Sequence, residues 1–393
     1  MERTQDKRKG LSASWLVMEL AVVFSVLSQI NSVARFTRPA MYAMWILAII
    51  VGIARTKGNL KITQFSARFI LAYILFLIFC AITSIIDTRH ISANYIRVLI
   101  VPLLVTVVGE MYANEDRELF NRLGKLYLIS SVIFAFWVQR TYFPSYSSWL
   151  SARRYLFQSK NSAGQIWVAA IFLSLLLVQY KNRFQRVLAY IACFYLLVMT
   201  GMSQCRTALL GMAVATVAFA ISRAKHKGRW IALVVLAAAA AWYIPVTRRF
   251  IEQALFLNKY AGADLDTFSS GRISRYETAL ASFLSSPVIG VGQFYVDSSY
   301  ILILTESGLI GFLLIEWIWV KKIGMCFRYR GEFNEQVFLF MMTTFYIVES
   351  MLEGFPPFGP GVSSFVFWFM SSVLFNRTRE DKKINGAVKA EEE

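Results

Sequence analysis

An all-α, polytopic bundle embedded in a lipid bilayer is the fold this sequence predicts, on three observations. Of 393 residues, 57% are apolar and only 17% are charged, whereas a soluble domain carries about 25% charge. The apolar residues gather in long runs instead of recurring at amphipathic spacing, as helices surrounded by lipid require. Polar connections carrying Lys and Arg separate the runs.

About twelve runs are expected to be transmembrane helices. The first, 14–30, follows a basic segment and has no small-residue cleavage site after it, so it reads as a span and not as a signal peptide. The second and third, 39–54 and 66–86, flank a connection bearing Arg55, Lys57 and Lys61. The fourth, 98–112, stops at a polar stretch around Asp116 and Arg117. The fifth and sixth, 124–140 and 163–180, bracket a long connection, 141–162. Runs seven to nine, 187–201, 207–222 and 230–246, are joined by short links such as Arg223-Ala224-Lys225-His226-Lys227. A second long connection, 247–298, precedes the tenth run, 299–320. The last two are 336–353 and 361–376.

Lys and Arg are in excess in alternate connections, which places both termini in the cytoplasm and the two long loops outside. The net charge of +17 is this topological signal together with attraction to anionic lipid. Basic residues dispersed over alternate loops do not form a nucleic-acid surface. One domain, 1–378, is expected, followed by a charged, disordered tail, 379–393. No internal repeat marks the two halves of a transporter.

Long loops over a rigid scaffold carry function. In the second, Thr247–Leu257 has helical apolar spacing, and 270–284 reads as a helix with Ser270 as its N-cap. Ile273, Tyr276, Leu280 and Phe283 form an apolar stripe suited to the bilayer surface. Pro287 ends that helix, and Gly290-Val291-Gly292 reads as a turn.

The candidate chemistry lies on the outer side. Arg153, Arg154, Arg206, Arg272 and Arg275 are placed where the positive-inside rule disfavours them. Arg206 sits at a helix start between apolar runs, where a guanidinium needs an anion. Planar guanidinium groups donate paired hydrogen bonds to phosphate, so convergent arginines suit a pyrophosphate. Asp297, where the loop re-enters the membrane, is either a general base or a helix cap. Glu349 and Glu353 share one helix face and either pair with the arginines or supply the base. Glu19, Glu110 and Glu316 indicate a polar interior. Asp264-Leu265-Asp266 has metal-binding spacing but lies in an outer loop. Cys80, Cys193, Cys205 and Cys326 have no metal-ligand spacing and read as packing residues. Trp149, Tyr146, Tyr155, Phe294 and Tyr295 suit either an interfacial belt or sugar stacking.

Three segments resemble the O-antigen polymerase and O-antigen ligase superfamily. Ser203-Gln204-Cys205-Arg206-Thr207-Ala208-Leu209-Leu210 is similar to its S-R-[ST]-A-L-L helix start. Gly271-Arg272, Arg275-Tyr276, Pro287 and Ile289-Gly290-Val291-Gly292 resemble its G-R…W…P-L-x-G-x-G segment. Ser298-Ser299-Tyr300-Ile301 through Glu306-Ser307-Gly308-Leu309-Ile310-Gly311 resembles its H-N-x-[YF]-L…G-[LIV]-[IVL]-G helix. Arg153 precedes Gly164 at the spacing of an outer-loop motif of the polymerases. The resemblance implies polymerisation of undecaprenyl-pyrophosphate-linked repeat units into O-antigen or a related surface polysaccharide. Transfer would be en bloc, inverting and independent of metal or cofactor, at the periplasmic face of a bacterial inner membrane. Arg206 and Arg272 would neutralise the leaving pyrophosphate and Asp297 would accept the acceptor's proton. Arg153, Arg154, Arg275, Tyr300, Glu349 and Glu353 would bind the pyrophosphate or glycan. Implied partners are the lipid-linked glycans, membrane lipid, a chain-length regulator and a flippase. Ligases place a histidine where this chain has Asp297 or Ser298, which favours polymerase over ligase. A flippase would string charge through the bundle core.

Overall fold

Inside lipid a chain must satisfy its own backbone polar groups, which leaves helices and closed barrels. The computed structural model describes residues 2–57, 62–86, 93–143, 145–151, 160–222, 225–255, 257, 262, 264–358 and 364–377, and every regular element among them is helical. The helices are α1 (Glu2–Leu27), α2 (Ala34–Arg55), α3 (Gln64–Ile86), α4 (Ala93–Met111), α5 (Arg117–Tyr142), α6 (Tyr146–Ser151), α7 (Lys160–Leu176) and α8 (Arg183–Met202). They continue with α9 (Arg206–Ser222), α10 (Lys227–Tyr243), α11 (Pro245–Leu255), α12 (Leu265–Phe268), α13 (Arg272–Ser285), α14 (Ser299–Phe327) and α15 (Phe333–Leu352). A last helix, α16, covers 365–377.

A helix overlaps each of the twelve apolar runs, and the structure supports five or six candidate spans without confirming about twelve. Five helices among the described residues are long and apolar enough to cross a membrane: α2, α3, α5, α8 and α14. The α10–α11 pair, bent by 97°, makes a sixth if counted as one span. A helix of 17 residues, such as α9, reaches about 25 Å, short of a hydrocarbon core of about 30 Å. The protein is thus a multi-pass helical membrane protein with five to six candidate spans among the described residues.

Two polar ends frame the bundle. At one, Arg122 pairs with Glu19 at 2.7 Å, Arg117 with Glu332 at 2.6 Å, and Arg55 with Glu115. Glu110 accepts from Thr63 N and Ser66 Oγ. There too the fully buried Lys322 stands 5.1–5.3 Å from the rings of Phe65, Trp368 and Phe375, joining α3, α14 and α16. The other end holds the long connections, and within it α11, α12 and α13 form as helices. The helix expected over 270–284 starts at Arg272 instead. Ser270 does not cap it, because Ser270 itself has φ 65° and Gly271 takes the N-cap position at φ 77°.

Close packing lets α15 run against α9, where Gly211 admits the Phe345 ring. At Gly164 of α7, an added Cβ would lie 2.6 Å from Cys205 Sγ, so this glycine brings α7 against the start of α9. All four cysteines are buried and unpaired. No α10 residue is buried, so α10 sits at the periphery of the bundle.

α14 is two helices. Gly308 has φ 62° and ψ −166°, a conformation open essentially only to glycine. Trp319 Nε1 donates to Tyr300 Oη at 3.1 Å, although nineteen residues of straight helix would separate them by about 28 Å. The chain therefore folds back at Gly308, with a short first half from Ser299 and a longer second half ending at Phe327. The backbone groups freed by this break are paired with the loop that follows α13. Val291 and Gly292 N–H groups donate to the Thr305 and Glu306 carbonyls at 2.9 and 3.1 Å. Leu309 and Ile310 N–H groups donate to Pro287 and Val288 carbonyls at 2.9 and 3.3 Å. Gly290 and Gly308 meet backbone to backbone, with each amide nitrogen about 2.5 Å from where the other's Cβ would stand.

Candidate functional site

The break decides where Asp297 goes. The chain drops from the end of α13 to the break, pairs there, then returns over residues 293–298 to the start of α13. On the way Phe294 N–H donates to the buried Glu306 Oε1 at 3.2 Å. At the top Asp297 meets the first turn of α13. Its Oδ2 lies 3.1 Å from Arg275 Nη1 and 3.7 Å from Arg272 Nε, and its Oδ1 accepts the Tyr295 hydroxyl at 2.9 Å. Arg272 Nη2 also donates to Glu353 Oε1 at 2.9 Å. One guanidinium thus bridges two carboxylates from distant parts of the chain. The side chains of Arg272 and Asp297 are each 17% exposed and that of Glu353 10%, so the trio is open to the outside only narrowly. Arg275 is half exposed.

Asp297 does not cap α14: Ser298 holds the N-cap position, and the Asp297 carboxylate faces arginines. Of the two roles open to it, capping is not the one adopted. The end of α15 completes the floor. Tyr276 Oη stands 2.6 Å from the Asp297 carbonyl oxygen and 3.0 Å from that of Met351. Ser298 Oγ faces the Ser350 carbonyl. The last carbonyls of a helix have no partner within it, and these hydroxyls cover two of them.

Arg206 joins from α9. Its Nη1 donates to the Phe268 carbonyl at 2.8 Å and its Nη2 to Ser270 Oγ at 2.7 Å, with the guanidinium 5.7 Å from the Phe268 ring. Ser269 Oγ meanwhile accepts the Arg272 N–H. The segment 268–270 thus links the starts of α9 and α13, and Ser270 serves as an arginine partner and not as a cap. Thr207 and Asn161 lie beside Glu353. The positive ends of α9, α13 and α14 meet the negative end of α15 here.

Burial pushes the Glu353 carboxyl up from its ordinary value, with Arg272 pulling the other way. Burial, and then the Asp297 charge, hold the Tyr295 hydroxyl well above its usual range. Tyr276 is raised by burial as well. Two buried polar atoms at the site find no hydrogen-bond partner among the described residues: Arg272 Nε and Glu349 Oε1.

The sequence-predicted residues divide as follows. Asp297, Arg272, Arg275 and Glu353 are in direct contact, and Arg206 is tied to them through Ser270. Glu349 is fully buried and takes Gln165 Nε2 at 2.6 Å, one turn below Glu353. Tyr300 is engaged with Trp319 and not with the ion pairs. Arg153, Arg154 and Tyr155 lie outside the described residues, as does the 379–393 tail. Trp149 is fully buried, donating to the Met202 carbonyl at 2.8 Å, and is a core residue, neither a belt nor a sugar platform. Asp264 and Asp266 cap the starts of α12 and α13, accepting from Thr267 and Ser274.

Sequence reasoning missed the task of Glu306. The signal available was an acid two residues before a glycine inside an apolar run. Because Glu306 holds Phe294, Glu306→Gln, which keeps the carbonyl acceptor, is expected to retain most activity, and Glu306→Leu to lose at least about tenfold. Turnover measured on detergent-purified protein checks this; equal turnover of the two variants would remove Glu306 from the design.

Comparison with known families follows this geometry. Residues 191–315 match the family model described as O-antigen ligase. The match spans less than half of the chain, but it contains Arg206, α13, Asp297, Glu306 and the Gly308 break. It supports membership of the O-antigen polymerase and ligase family. No curated protein matches the chain.

Proposed function

We propose that this protein is a lipid-linked glycan polymerase of the O-antigen polymerase and ligase family. It joins undecaprenyl-pyrophosphate-linked repeat units at the periplasmic face of a bacterial inner membrane, with both termini cytoplasmic. The observation that carries the reading is the Arg272–Asp297–Arg275 cluster, set at the start of α13 inside the family match. Arginines paired with carboxylates at a narrow outer opening suit a substrate that brings its own negative charge.

The chemistry follows from those groups. A hydroxyl of the acceptor sugar attacks the anomeric carbon of the donor chain. The new carbon–oxygen bond forms as the bond to the pyrophosphate oxygen breaks, and the pyrophosphate leaves with the electron pair. Single displacement inverts that carbon. Arg272 and Arg275 turn from their carboxylates to the pyrophosphate, and Arg206 meets it from the start of α9. Each such donor placed where charge develops is worth about 10²–10³ in rate. Asp297, released from its ion pairs, takes the hydroxyl proton, a task worth roughly 10²–10⁴. Glu353 keeps Arg272 in register. Arg153, Arg154, Glu349 and Tyr300 are assigned to the glycan and pyrophosphate surroundings.

Asp297→Asn is accordingly expected to lose at least about 10²-fold in polymer formation, with Glu353→Gln losing less. Product ladders from purified protein and lipid-linked repeat units measure both; a normal ladder from Asp297→Asn would remove the base from this scheme.

The ligase reading has its own support, the description of the matching family model. Deleting the gene and resolving the surface glycan by gel separates the two. Loss of the ladder with one repeat retained on lipid A core means polymerase. Loss of all glycan from core, with lipid-linked polymer accumulating, means ligase. An unchanged ladder overturns both.

A further inference from the structure

A second surface stands apart from the reaction site. Between α3 and the second half of α14 runs a groove of about 520 Å³, lined by Leu71, Ala72, Leu75, Ile310, Leu313 and Trp317, with Arg68 beside them. Pockets of this volume with mostly apolar walls and few polar groups are typical of small-ligand sites. Leu71, Leu75, Ile310 and Leu313 are exposed on this face, in helices that are both membrane-span candidates, so the groove opens to lipid.

Its charge is asymmetric. Arg68 lies one turn into α3, near Phe65, and Phe65 packs under Lys322 of α14. Lys321 Nζ stands 5.9 Å from the centre of the Trp317 ring. Both cations therefore mark the end of the groove on the Lys322 side of the bundle, away from Arg272 and Asp297. The described residues offer Arg68 no carboxylate partner within ion-pair distance. Arg68 is itself exposed on this face, near the start of α3, where a guanidinium can reach headgroup phosphates.

We propose that this groove is a binding site for an anionic glycerophospholipid of the leaflet on the Lys322 side. Its phosphate sits on the Arg68 guanidinium, with Lys321 nearby, and one acyl chain lies along Leu71, Leu75, Leu313 and Ile310. Basic sites between membrane helices bind anionic headgroups in this way, and a guanidinium gives phosphate two hydrogen bonds. The substrate's prenyl tail is a poorer occupant, because its pyrophosphate belongs at the opposite end of the bundle. The inner end of the groove is Ile310, whose N–H is bonded to the Val288 carbonyl. The acyl chain thus packs beneath the loop that seals the α14 break.

The test uses the full-length protein in nanodiscs of phosphatidylglycerol and phosphatidylcholine, followed by transfer to mild detergent and native mass spectrometry. Wild type is expected to keep phosphatidylglycerol in preference to phosphatidylcholine. Arg68→Gln is expected to keep roughly tenfold less or lower, and Leu71→Trp, which fills the groove, should lose it with Arg68 intact. Equal retention of the two lipids by wild type overturns the proposal without any variant. Undiminished phosphatidylglycerol on Arg68→Gln overturns it as well. Neither result bears on the reaction site, which is read from polymer formation.

Discussion

Arg272→Lys is expected to abolish polymer formation, a loss of about 10²-fold or more, in protein that still inserts and purifies. The reason is geometric. Arg272 reaches Glu353 with one nitrogen and faces Asp297 with another. A lysine ammonium is a single point charge and cannot span both carboxylates, nor offer a planar fork to a pyrophosphate. It leaves one acid of a narrowly open pair uncompensated, so charge retention alone does not rescue the site. Arg275→Lys is the internal comparison. Arg275 makes one contact and is half exposed, so its loss is expected to be several-fold milder. Ladder length and turnover, normalised to protein in the membrane, measure both. Wild-type turnover from Arg272→Lys would mean that the site needs charge but not shape, and the bidentate role would be dropped.

The second large effect is on folding. Gly308→Ala is expected to destabilise by more than about 3 kcal/mol, because its backbone conformation is nearly closed to other residues. An added Cβ would also press on the Val288 carbonyl and lie 2.5 Å from Gly290 N. Gly324, in the second half of the same helix, has nothing within 4 Å of an added Cβ. Gly324→Ala is expected to be neutral or stabilising by up to about 1 kcal/mol. Thermal unfolding of both variants in one detergent makes the comparison. Equal midpoints would show that the break is not required by the fold.

The helices were legible because lipid demands apolar runs, and a helix lies on each run that was read. The fold-back inside the tenth run was not, since hydropathy does not register a chain reversal at Gly308. Arg272, Arg275 and Asp297 were legible as a group, since they share one outer loop of polar residues beside apolar runs. Glu353 was visible as an acid on a helix face, but its meeting with Arg272 depends on how α15 packs. Ser270 was misread because a serine before a helical pattern is usually its cap. Here the left-handed turn at Ser270 and Gly271 hands the cap position to Gly271 and leaves the hydroxyl to Arg206. Glu306 was hidden by the tertiary pairing it serves: nothing local to α14 indicates that its acceptor belongs to Phe294.

The break in α14 also makes two segments of the chain depend on each other. Backbone groups of Thr305, Glu306, Leu309 and Ile310 are paired by the segment Pro287 to Gly292. Left in hydrocarbon without that loop, each such group would cost several kcal/mol. The bend and the loop are therefore satisfied only together, and Asp297, carried by the returning arm of that loop, stands beside Arg272 and Arg275 when the two are joined.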